Sequence, residues 1–454
     1  MSDKNVVVLV DSRERDLKGC ALLAHHLERA GIRCHLEPIE AWKAVLAAYQ
    51  PDMIVFNHAF RQHLADYTER LHSMGVMTAV LLNEGILYNE KVLAYNSRRQ
   101  FSNLHLDYFF CWNELHRQAL LANGYAGLTE VQVAGVPRFD FYFQPWSQIF
   151  EKEKILKTSR PQILVCTNFG FAEWKDKPRS VVDRLFSQWK DISPAYADYW
   201  NAIEVNYRSR LHFFHFFRAI LEANKYDVVL KIHPRETRMQ YQAWIDALPP
   251  KLKTYLTFAA QDSNITPLIL GCDLEISCET CTTALESWIA GKPTLELIME
   301  KNPLFYHPAH SSLNPACDSP EKIIFEIEKQ LANPKQLEYA EGRRAHLAKW
   351  CHSPDGGSSA KVASVIAKAV NENDGRKQLR LGFSDYRRGL KLKTYRTFGL
   401  PYTYYPLQQL THRISSKFSK KMMVYEKSVR PDGTRKIIEE LNAIQRNQSD
   451  SHAK

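Results

Sequence analysis

Side chains that can bind phosphate follow a strand-like segment in the second half of the chain. His233, Pro234 and Arg235 come directly after the strand-like segment 228–232, in which Lys231 is the only charged residue. An imidazole, an ammonium and a guanidinium at a strand end can neutralise a monophosphate or diphosphate leaving group, and arginine binds phosphate with two parallel hydrogen bonds. We therefore predict that His233, Lys231 and Arg235 bind the phosphate of an activated donor, and that Pro234, which fixes the turn, also lies in the donor-binding site.

A second group of polar residues follows the strand-like segment 274–277. Thr280, Thr282 and Thr283 stand at the start of a predicted helix, and Glu286 lies one turn further on. One threonine would suffice as an N-cap, and the free backbone N–H groups of a helix start attract anions. We predict that these four residues also bind the donor.

Two further residues stand at predicted strand ends. Glu84 follows the strand-like segment 77–82 and precedes Gly85, which allows a sharp turn. A carboxylate in this position suits a general base that takes a proton from a substrate hydroxyl, although a solvated glutamate at a helix start is the alternative. Asn168, after the segment 163–166, is predicted to lie over the donor sugar or phosphate.

Strand-like apolar runs alternate with helical segments twice along the chain, which is typical of βαβ units with parallel sheets. A polar, lysine-rich connection at 147–161 separates the two series. We predict an α/β fold with two Rossmann-like domains, 1–146 and 161–370, that face a central cleft, and a basic C-terminal extension at 376–454. Ligands of such sheets bind outside the carboxyl ends of the strands. The predicted strands are 6–10, 32–36, 53–56, 77–82, 108–111, 130–133, 163–166, 227–232, 255–258, 274–277 and 294–298.

The composition excludes several classes of protein. The chain has 454 residues, of which 45% are hydrophobic and 24% charged, as in globular proteins rather than disordered, collagenous or polytopic membrane proteins. It contains neither a phosphate-binding P-loop nor a G-x-G-x-x-G motif, and no Asp-x-Asp motif. The only close cysteine pair, Cys278 and Cys281, lacks the further ligands of a zinc site. We expect a metal-independent reaction without a cofactor.

The basic residues are concentrated near the C-terminus. The segment 376–421 holds twelve lysines and arginines and one acidic residue, Asp385, whereas the whole chain has a net charge of +10. Aromatic residues are interspersed with these cations, which favours docking on the inner leaflet of a membrane; a solvated extension and nucleic-acid binding are the alternatives, and we expect no nucleic acid. Since the chain begins without a secretory signal, we expect a cytoplasmic protein, peripheral at the inner membrane.

Taken together, these motifs resemble those of GT-B glycosyltransferases. Bacterial sialyltransferases and capsule polymerases carry an acidic motif ending in glycine, a His-Pro motif and a pair of hydroxyl residues. The corresponding positions here are Asn83-Glu84-Gly85, His233-Pro234 and Cys281-Thr282.

The chain also resembles the family of surface carbohydrate biosynthesis proteins, which are related to Kdo transferases. Arg15-Asp16-Leu17, Asn83-Glu84-Gly85, the segment 135–140 and His233-Pro234 occur in the same order as in that family. The resemblance covers about residues 5–300 and implies that Arg15 and Arg138 lie on the acceptor side.

The resemblance implies transfer of an acidic sugar, such as Kdo, sialic acid or another nonulosonate, from a CMP-activated donor to a surface glycan, for which a lipid-linked acceptor is one option. Glu84 would be the catalytic base, His233 the partner of the donor phosphate, and the three threonines its cradle. A nucleotide-sugar epimerase using Asp140 or Glu279, a CDP-polyol phosphotransferase, and a non-catalytic glycan-binding scaffold remain the alternatives.

Overall fold

A computed structural model describes residues 4–58, 61–83, 86, 90–153, 158–191, 194–260, 263–352, 354–373, 377–403 and 429–452. The chain folds into two compact units. The first unit contains residues 1–86, 96–149 and 348–454, and the second contains residues 87–95 and 150–347. Each unit is described separately below.

The first unit is built on a parallel sheet with the strand order β2-β1-β3-β4-β5-β6. Its strands are short and mostly buried because uninterrupted apolar runs suit a parallel sheet that is covered on both faces. The chain crosses from one side of β1 to the other, so the strand order reverses between β1 and β3. The strands are β1 (Asn5–Val10), β2 (Arg33–Pro38), β3 (Met53–Phe56), β4 (Met77–Leu81), β5 (Tyr108–Cys111) and β6 (Glu130–Val133).

The second unit repeats this plan with the strand order β12-β11-β10-β7-β8-β9, again parallel. Every strand predicted from the sequence is present, and β12 is a short addition that the sequence pattern did not indicate. The α/β class with two Rossmann-like units is therefore confirmed, and the architecture is consistent with the GT-B fold. The strands are β7 (Gln162–Cys166), β8 (Asp227–Lys231), β9 (Leu256–Phe258), β10 (Leu274–Cys278), β11 (Thr294–Leu297) and β12 (Ala316–Cys317).

Helices connect the strands in both units. The first helix begins at Arg13, where the side chain of the N-cap Ser12 accepts a hydrogen bond from the Arg15 N–H. The described helices are α1 (Arg13–Arg29), α2 (Val45–Tyr49), α3 (Gln62–His72), α4 (Glu90–Asn96), α5 (Glu114–Leu120), α6 (Arg179–Phe186), α7 (Pro194–Ala197), α8 (Tyr199–Ala223), α9 (Arg238–Asp246), α10 (Pro250–Lys253), α11 (Ile265–Gly271), α12 (Thr282–Ile289), α13 (Pro308–Ser311), α14 (Ile323–Ala332), α15 (Ala340–Cys351), α16 (Ser358–Glu372), α17 (Phe383–Thr397) and α18 (Pro431–His452).

The C-terminal helices belong to the first unit, whereas chain order assigned 348–370 to the second domain and 376–454 to a separate extension. Helices α16 and α18 pack against α1, and α17 packs against α2. Both ring nitrogens of His25 in α1 lie within hydrogen-bond distance of α18, at 2.7 Å from Asn442 Oδ1 and 2.6 Å from Gln445 Oε1. The predicted and observed domain assignments differ because these helices bury their apolar faces against elements more than 300 residues earlier in the chain. Local sequence patterns do not reveal such contacts.

Asp140 fixes the start of α16 from a distant part of the chain. Its carboxylate oxygens accept hydrogen bonds from the backbone N–H groups of Ser358, at 3.0 Å, and Ser359, at 2.7 Å. Gly357 stands at the N-cap and has no side chain to make these bonds. Burial raises the pKa of Asp140 to about 6, although the two N–H groups act in the opposite direction. Asp140 therefore has a structural role in the first unit.

We expect Asp140→Ala to lower the free energy of unfolding by about 1–3 kcal/mol, because two buried N–H groups lose their acceptor. Urea-induced unfolding of the full chain measures this change. Asp355→Ala is the matched control, since the exposed Asp355 accepts a hydrogen bond from Gly357 N–H, at 2.9 Å, beside the same helix. The control should change stability by less than about 0.5 kcal/mol; equal losses in both variants would contradict this role of Asp140.

Candidate functional site

The site predicted for the donor lies at the carboxyl edge of the second sheet. Strand β7 is central there, because Cys166 is in register with Lys231 of β8 on one side and Ser277 of β10 on the other. The chain runs from β7 outward to β9 and then returns to the opposite side at β10. The loops after β7 and β10 therefore flank a topological switch point, which is where ligands bind in open parallel sheets.

Asn206, in the middle of α8, ties these two loops together. Its side-chain oxygen accepts hydrogen bonds from the backbone N–H groups of Phe171, at 3.0 Å, and Ala172, at 3.1 Å. Its side-chain nitrogen donates to Glu279 Oε2 at 2.9 Å, and Asn168 Nδ2 donates to the Glu279 carbonyl at 3.1 Å. Sequence reasoning missed Asn206; the available signal was an asparagine among the mostly apolar positions of a long helix.

Glu236 ties the loop after β7 to the loop after β8. Its Oε1 accepts hydrogen bonds from the Thr167 hydroxyl at 2.7 Å and from the N–H groups of Phe169, at 3.1 Å, and His233, at 3.2 Å. Its Oε2 accepts a bond from the Tyr241 hydroxyl. Glu236 is buried, and burial raises its pKa. This residue stands next to the predicted phosphate-binding residues, but sequence reasoning gave it no role.

His233 is half-buried, and its environment favours the neutral ring. Burial, with Arg235 and Lys231 nearby, lowers the pKa of His233 to about 4. Its Nδ1 accepts a hydrogen bond from the Arg235 backbone N–H at 3.2 Å, so the proton of the neutral ring resides on Nε2. A methyl group at Gly170 would approach His233 Nδ1 to 3.9 Å and Arg235 Cβ to 3.4 Å. Gly170 thus lies directly beside the side chains of His233 and Arg235.

The three other predicted residues of this loop differ in exposure. Pro234 and Arg235 are exposed, whereas Lys231 is buried and its Nζ lies 3.3 Å from the Ile232 carbonyl oxygen. Arg235 can thus contact a ligand at the surface of the sheet edge. Lys231 instead places its positive charge in the protein interior beneath this edge.

The threonines after β10 fall into two groups. Thr280 uses its backbone N–H to donate to Glu296 Oε1 at 2.7 Å, and its hydroxyl lies 3.0 Å from Ser311 Oγ and accepts from His307 N–H at 3.0 Å. The Thr283 hydroxyl donates to Glu275 Oε1 at 2.7 Å. These two hydroxyls are thus engaged with buried partners.

Thr282 differs from them because it is exposed at the first turn of α12. Cys281 occupies the N-cap and provides no side-chain cap hydrogen bond. The backbone N–H groups at this helix start are consequently not satisfied by an N-cap side chain, as an anion site requires. Glu286 lies on the same helix and is buried.

Glu279 has the features of a functional acid. From the sequence it is a candidate only for the alternative of a nucleotide-sugar epimerase. Glu279 and Thr280 both adopt positive φ angles, of 49° and 42°, a strained conformation that is concentrated at functional sites. The residue is 5% exposed, and burial raises its pKa to about 8, with Ser209 and Asn206 acting in the opposite direction. Among the described residues, its Oε1 has no partner of hydrogen-bond geometry. Burial therefore favours the protonated form of Glu279.

The first unit brings the two predicted acceptor-side arginines to one carboxylate. Arg15 donates from Nε to Asp16 Oδ1 at 2.7 Å and forms an ion pair with Asp11 at 3.1 Å. Arg138 also lies close enough to Asp16 to act on its pKa, which burial raises. The Arg138 guanidinium stacks 4.8 Å from the centre of the Phe139 ring. These residues follow β1 and β6, at the carboxyl edge of the first sheet.

The predicted catalytic base lies outside the described residues, as does Gly85. The chain just before it is held by Trp112, whose indole N–H donates to the Leu82 carbonyl at 2.9 Å. Trp112 follows β5 and Leu82 follows β4, so the tip that carries Asn83 is tied to the neighbouring strand end. The role of Glu84 stays a prediction.

All nine cysteines are buried and free, including Cys278 and Cys281. The described residues contain no group of three His, Cys, Asp or Glu side chains that could hold a metal ion. In the same residues, no helix has the length and hydropathy needed to span a membrane.

Comparisons with known proteins gave structural similarities alone. No protein-family model and no curated protein matches the chain. The UDP-GlcNAc 2-epimerase from Methanocaldococcus jannaschii is 14% identical, with a TM-score of 0.47, over 80% of this chain and 99% of the other. The UDP-GlcNAc 2-epimerase from Neisseria meningitidis, bound to UDP-GlcNAc, is 13% identical, with a TM-score of 0.45, over 80% and 100%. Anabaena Alr3699/HepE in complex with UDP-glucose is 12% identical, with a TM-score of 0.43, over 80% and 99%. Similarity at this level does not identify what this chain binds or catalyses.

The buried acid at the switch point predicts a specific dependence of stability on pH. A pKa of about 8 in the folded protein, against the ordinary 4.5, means that the folded state binds more protons than the unfolded state between these values, so its stability falls as pH rises. We expect Glu279→Gln to gain stability relative to the native protein, on the order of 4 kcal/mol, between pH 5 and pH 8.5. Urea-induced unfolding at both pH values measures the difference, and a constant difference would contradict the raised pKa.

Proposed function

We propose that this protein is an enzyme that acts on a nucleotide-activated sugar and binds the nucleotide's phosphate at the carboxyl edge of its second sheet. The observation that carries the proposal is the convergence of three loops at one edge, with Asn168, His233 and the start of α12 joined through Asn206, Glu236 and Glu279. A rigid set of donors around a switch point suits a ligand with a phosphate group.

The donors at this edge have complementary roles. The neutral His233 would donate a hydrogen bond from Nε2, because Nδ1 already accepts one from Arg235 N–H. Arg235 would supply a cation, and the first turn of α12 would supply N–H groups with the Thr282 hydroxyl. Such donors accelerate a reaction most when negative charge develops on the leaving phosphate.

For the reaction, we propose transfer of an acidic sugar from a CMP-activated donor to a surface glycan, lipid-linked at the cytoplasmic face of the inner membrane. The bond between the anomeric carbon and the phosphate oxygen breaks, and CMP leaves with the electron pair. The acceptor oxygen forms the new bond and loses its proton to Glu84, or Glu84 acts as a nucleophile if the configuration is retained. The resemblance to Kdo transferases and sialyltransferases supports this choice of donor and base.

Glu279 favours epimerisation as a second candidate reaction. Inverting a carbon that bears hydrogen requires a proton to be removed and returned, and side chains that do so have pKa values near the working pH. Glu279 meets this requirement because burial raises its pKa to about 8. The alternatives of a CDP-polyol phosphotransferase and a non-catalytic scaffold have no comparable feature in their favour.

One experiment separates these reactions. The full chain is incubated in D2O with CMP-Kdo, CMP-sialic acid and a panel of UDP-sugars, with and without glycan acceptors, and the products are analysed by NMR. Release of CMP that depends on acceptor supports transfer, whereas deuterium in a recovered nucleotide sugar supports epimerisation. If no nucleotide sugar reacts or binds, the proposal of a nucleotide-sugar enzyme is wrong.

We expect His233→Ala to weaken nucleotide-sugar binding about 10- to 100-fold, because a hydrogen bond to a charged phosphate is worth about 1.5–3 kcal/mol. His233→Gln, which can place a donor near the position of Nε2, should recover part of the affinity. His215→Ala is the control, since His215 is exposed on α8. Calorimetric titration measures the affinities. Equal affinity of the native protein and His233→Ala would remove His233 from the site.

The role of Glu279 is tested with a matched pair of buried acids. Glu275 and Glu279 both have a pKa raised to about 8 by burial, but Glu275 lies within β10 and accepts a bond from Thr283. If Glu279 moves the proton, Glu279→Gln should lower deuterium incorporation by at least about 100-fold, with unchanged nucleotide affinity.

Glu275→Gln should leave this rate within a few fold. A similar loss in both variants would assign Glu279 to the fold of the edge rather than to proton transfer. Full activity of Glu279→Gln would contradict the epimerase candidate and leave the transferase candidate in place.

A further inference from the structure

Helix α17, within the basic C-terminal segment, packs against α2 of the first unit through one of its faces. Gly389 and Leu392 are buried there. A methyl group at Gly389 would come within 2.9 Å of Ala47 Cβ and 3.0 Å of Ala48 N, so the helix backbone approaches α2 as closely as only glycine permits. This packing fixes which face of α17 is turned away from the protein.

Ion pairs also hold α17 against the rest of the first unit. Asp385, which is buried, pairs with Arg70 at 2.6 Å, and Arg396 at the other end of the helix pairs with the buried Glu37. Part of the basic character of this segment therefore has a structural role. The remaining cations have to be considered by their position on the helix.

The outward face of α17 combines large apolar side chains with cations. Phe383, Tyr386 and Leu390 are spaced by three and four residues, so they lie on one side of the helix. They are 85%, 60% and 69% exposed, and Phe398, directly after the helix, is 72% exposed. Exposed cations stand among them, at Arg387, Lys391 and Lys393.

We propose that this outward face of α17 docks on an anionic lipid surface. Apolar side chains beside lysine and arginine are the pattern of helices that lie in a membrane interface, where the rings enter the boundary of the acyl chains and the cations contact phosphate headgroups. The proposal deepens the membrane partner proposed above and assigns it to one helix face, but it does not require the nucleotide chemistry.

Charge argues against other occupants of this face. A second copy of the chain would bring Arg387, Lys391 and Lys393 against their own counterparts. The segment 404–428, which lies outside the described residues, carries five lysines and arginines and one acidic residue, Glu426, so it has the same sign as the face. A bilayer containing acidic lipids is complementary both to the cations and to the exposed rings.

Vesicle co-sedimentation of the full chain tests the proposal. We expect binding to vesicles with about one third phosphatidylglycerol and weak binding to pure phosphatidylcholine. Phe383→Ser with Leu390→Ser should weaken binding at least about 100-fold, because two large apolar side chains no longer enter the boundary of the acyl chains. Arg387→Ser with Lys393→Ser should weaken it about 25-fold at low salt, about fivefold for each cation, and by less at high salt.

Phe325→Ser with Leu337→Ser is the matched control, because these side chains of the second unit are 66% and 71% exposed. The control should bind vesicles like the native protein, and unfolding and nucleotide-binding measurements on all variants establish that the fold is intact. Binding that is unchanged in both α17 variants, or absent from acidic vesicles, would overturn the proposal. If Phe383→Ser with Leu390→Ser converts the protein, without vesicles, from a dimer to a monomer, the face serves self-association. If RNA displaces the bound vesicles and these two substitutions leave vesicle binding unchanged, the face binds nucleic acid. Either result would overturn the proposal.

Discussion

The hydrogen bonds that join three loops at the carboxyl edge of the second sheet are the constraint on which the candidate site depends. Asn206 ties the loop after β7 to Glu279, and Glu236 ties the same loop to His233. Both side chains are buried, so their hydrogen bonds replace those that water would make, and losing them would leave polar groups unsatisfied. The positions of Asn168 and His233 are thus set by residues that need not touch a ligand.

Burial of acids is the second physical feature of this edge. Glu236, Glu275, Glu279 and Glu296 are all buried, and burial raises the pKa of each. The first, second and fourth each accept a hydrogen bond from a threonine, whereas Glu279 lies at the tip of β10 with a strained backbone. Burial lowers the pKa of His233, which favours the neutral form of its ring. Burial therefore favours the uncharged forms of these side chains, whereas Arg235 stays exposed beside them.

The two units use their C-terminal residues in different ways. In the second unit the strand ends carry the predicted donor site, while in the first unit α16, α17 and α18 cover α1 and α2. Asp140 shows how this covering is specified, because it caps α16 from 218 residues away. The basic segment is likewise divided by tertiary packing: Arg396 pairs with Glu37, whereas the cations of the outward face remain at the surface.

The sequence by itself determined the strands, the α/β class and the edge at which to look for chemistry, because apolar runs and helix starts are encoded by neighbouring residues. His233 was predicted in this way because it follows a predicted strand directly, and Thr282 because it stands at a predicted helix start. Only the tertiary structure decided that the hydroxyls of Thr280 and Thr283 serve buried partners, that Asn206 and Glu236 join the loops, and that residues 348–373 belong to the first unit. These features depend on contacts between residues that are tens to hundreds of positions apart in the chain. The raised pKa of Glu279 likewise follows from its burial, which its sequence neighbours do not encode.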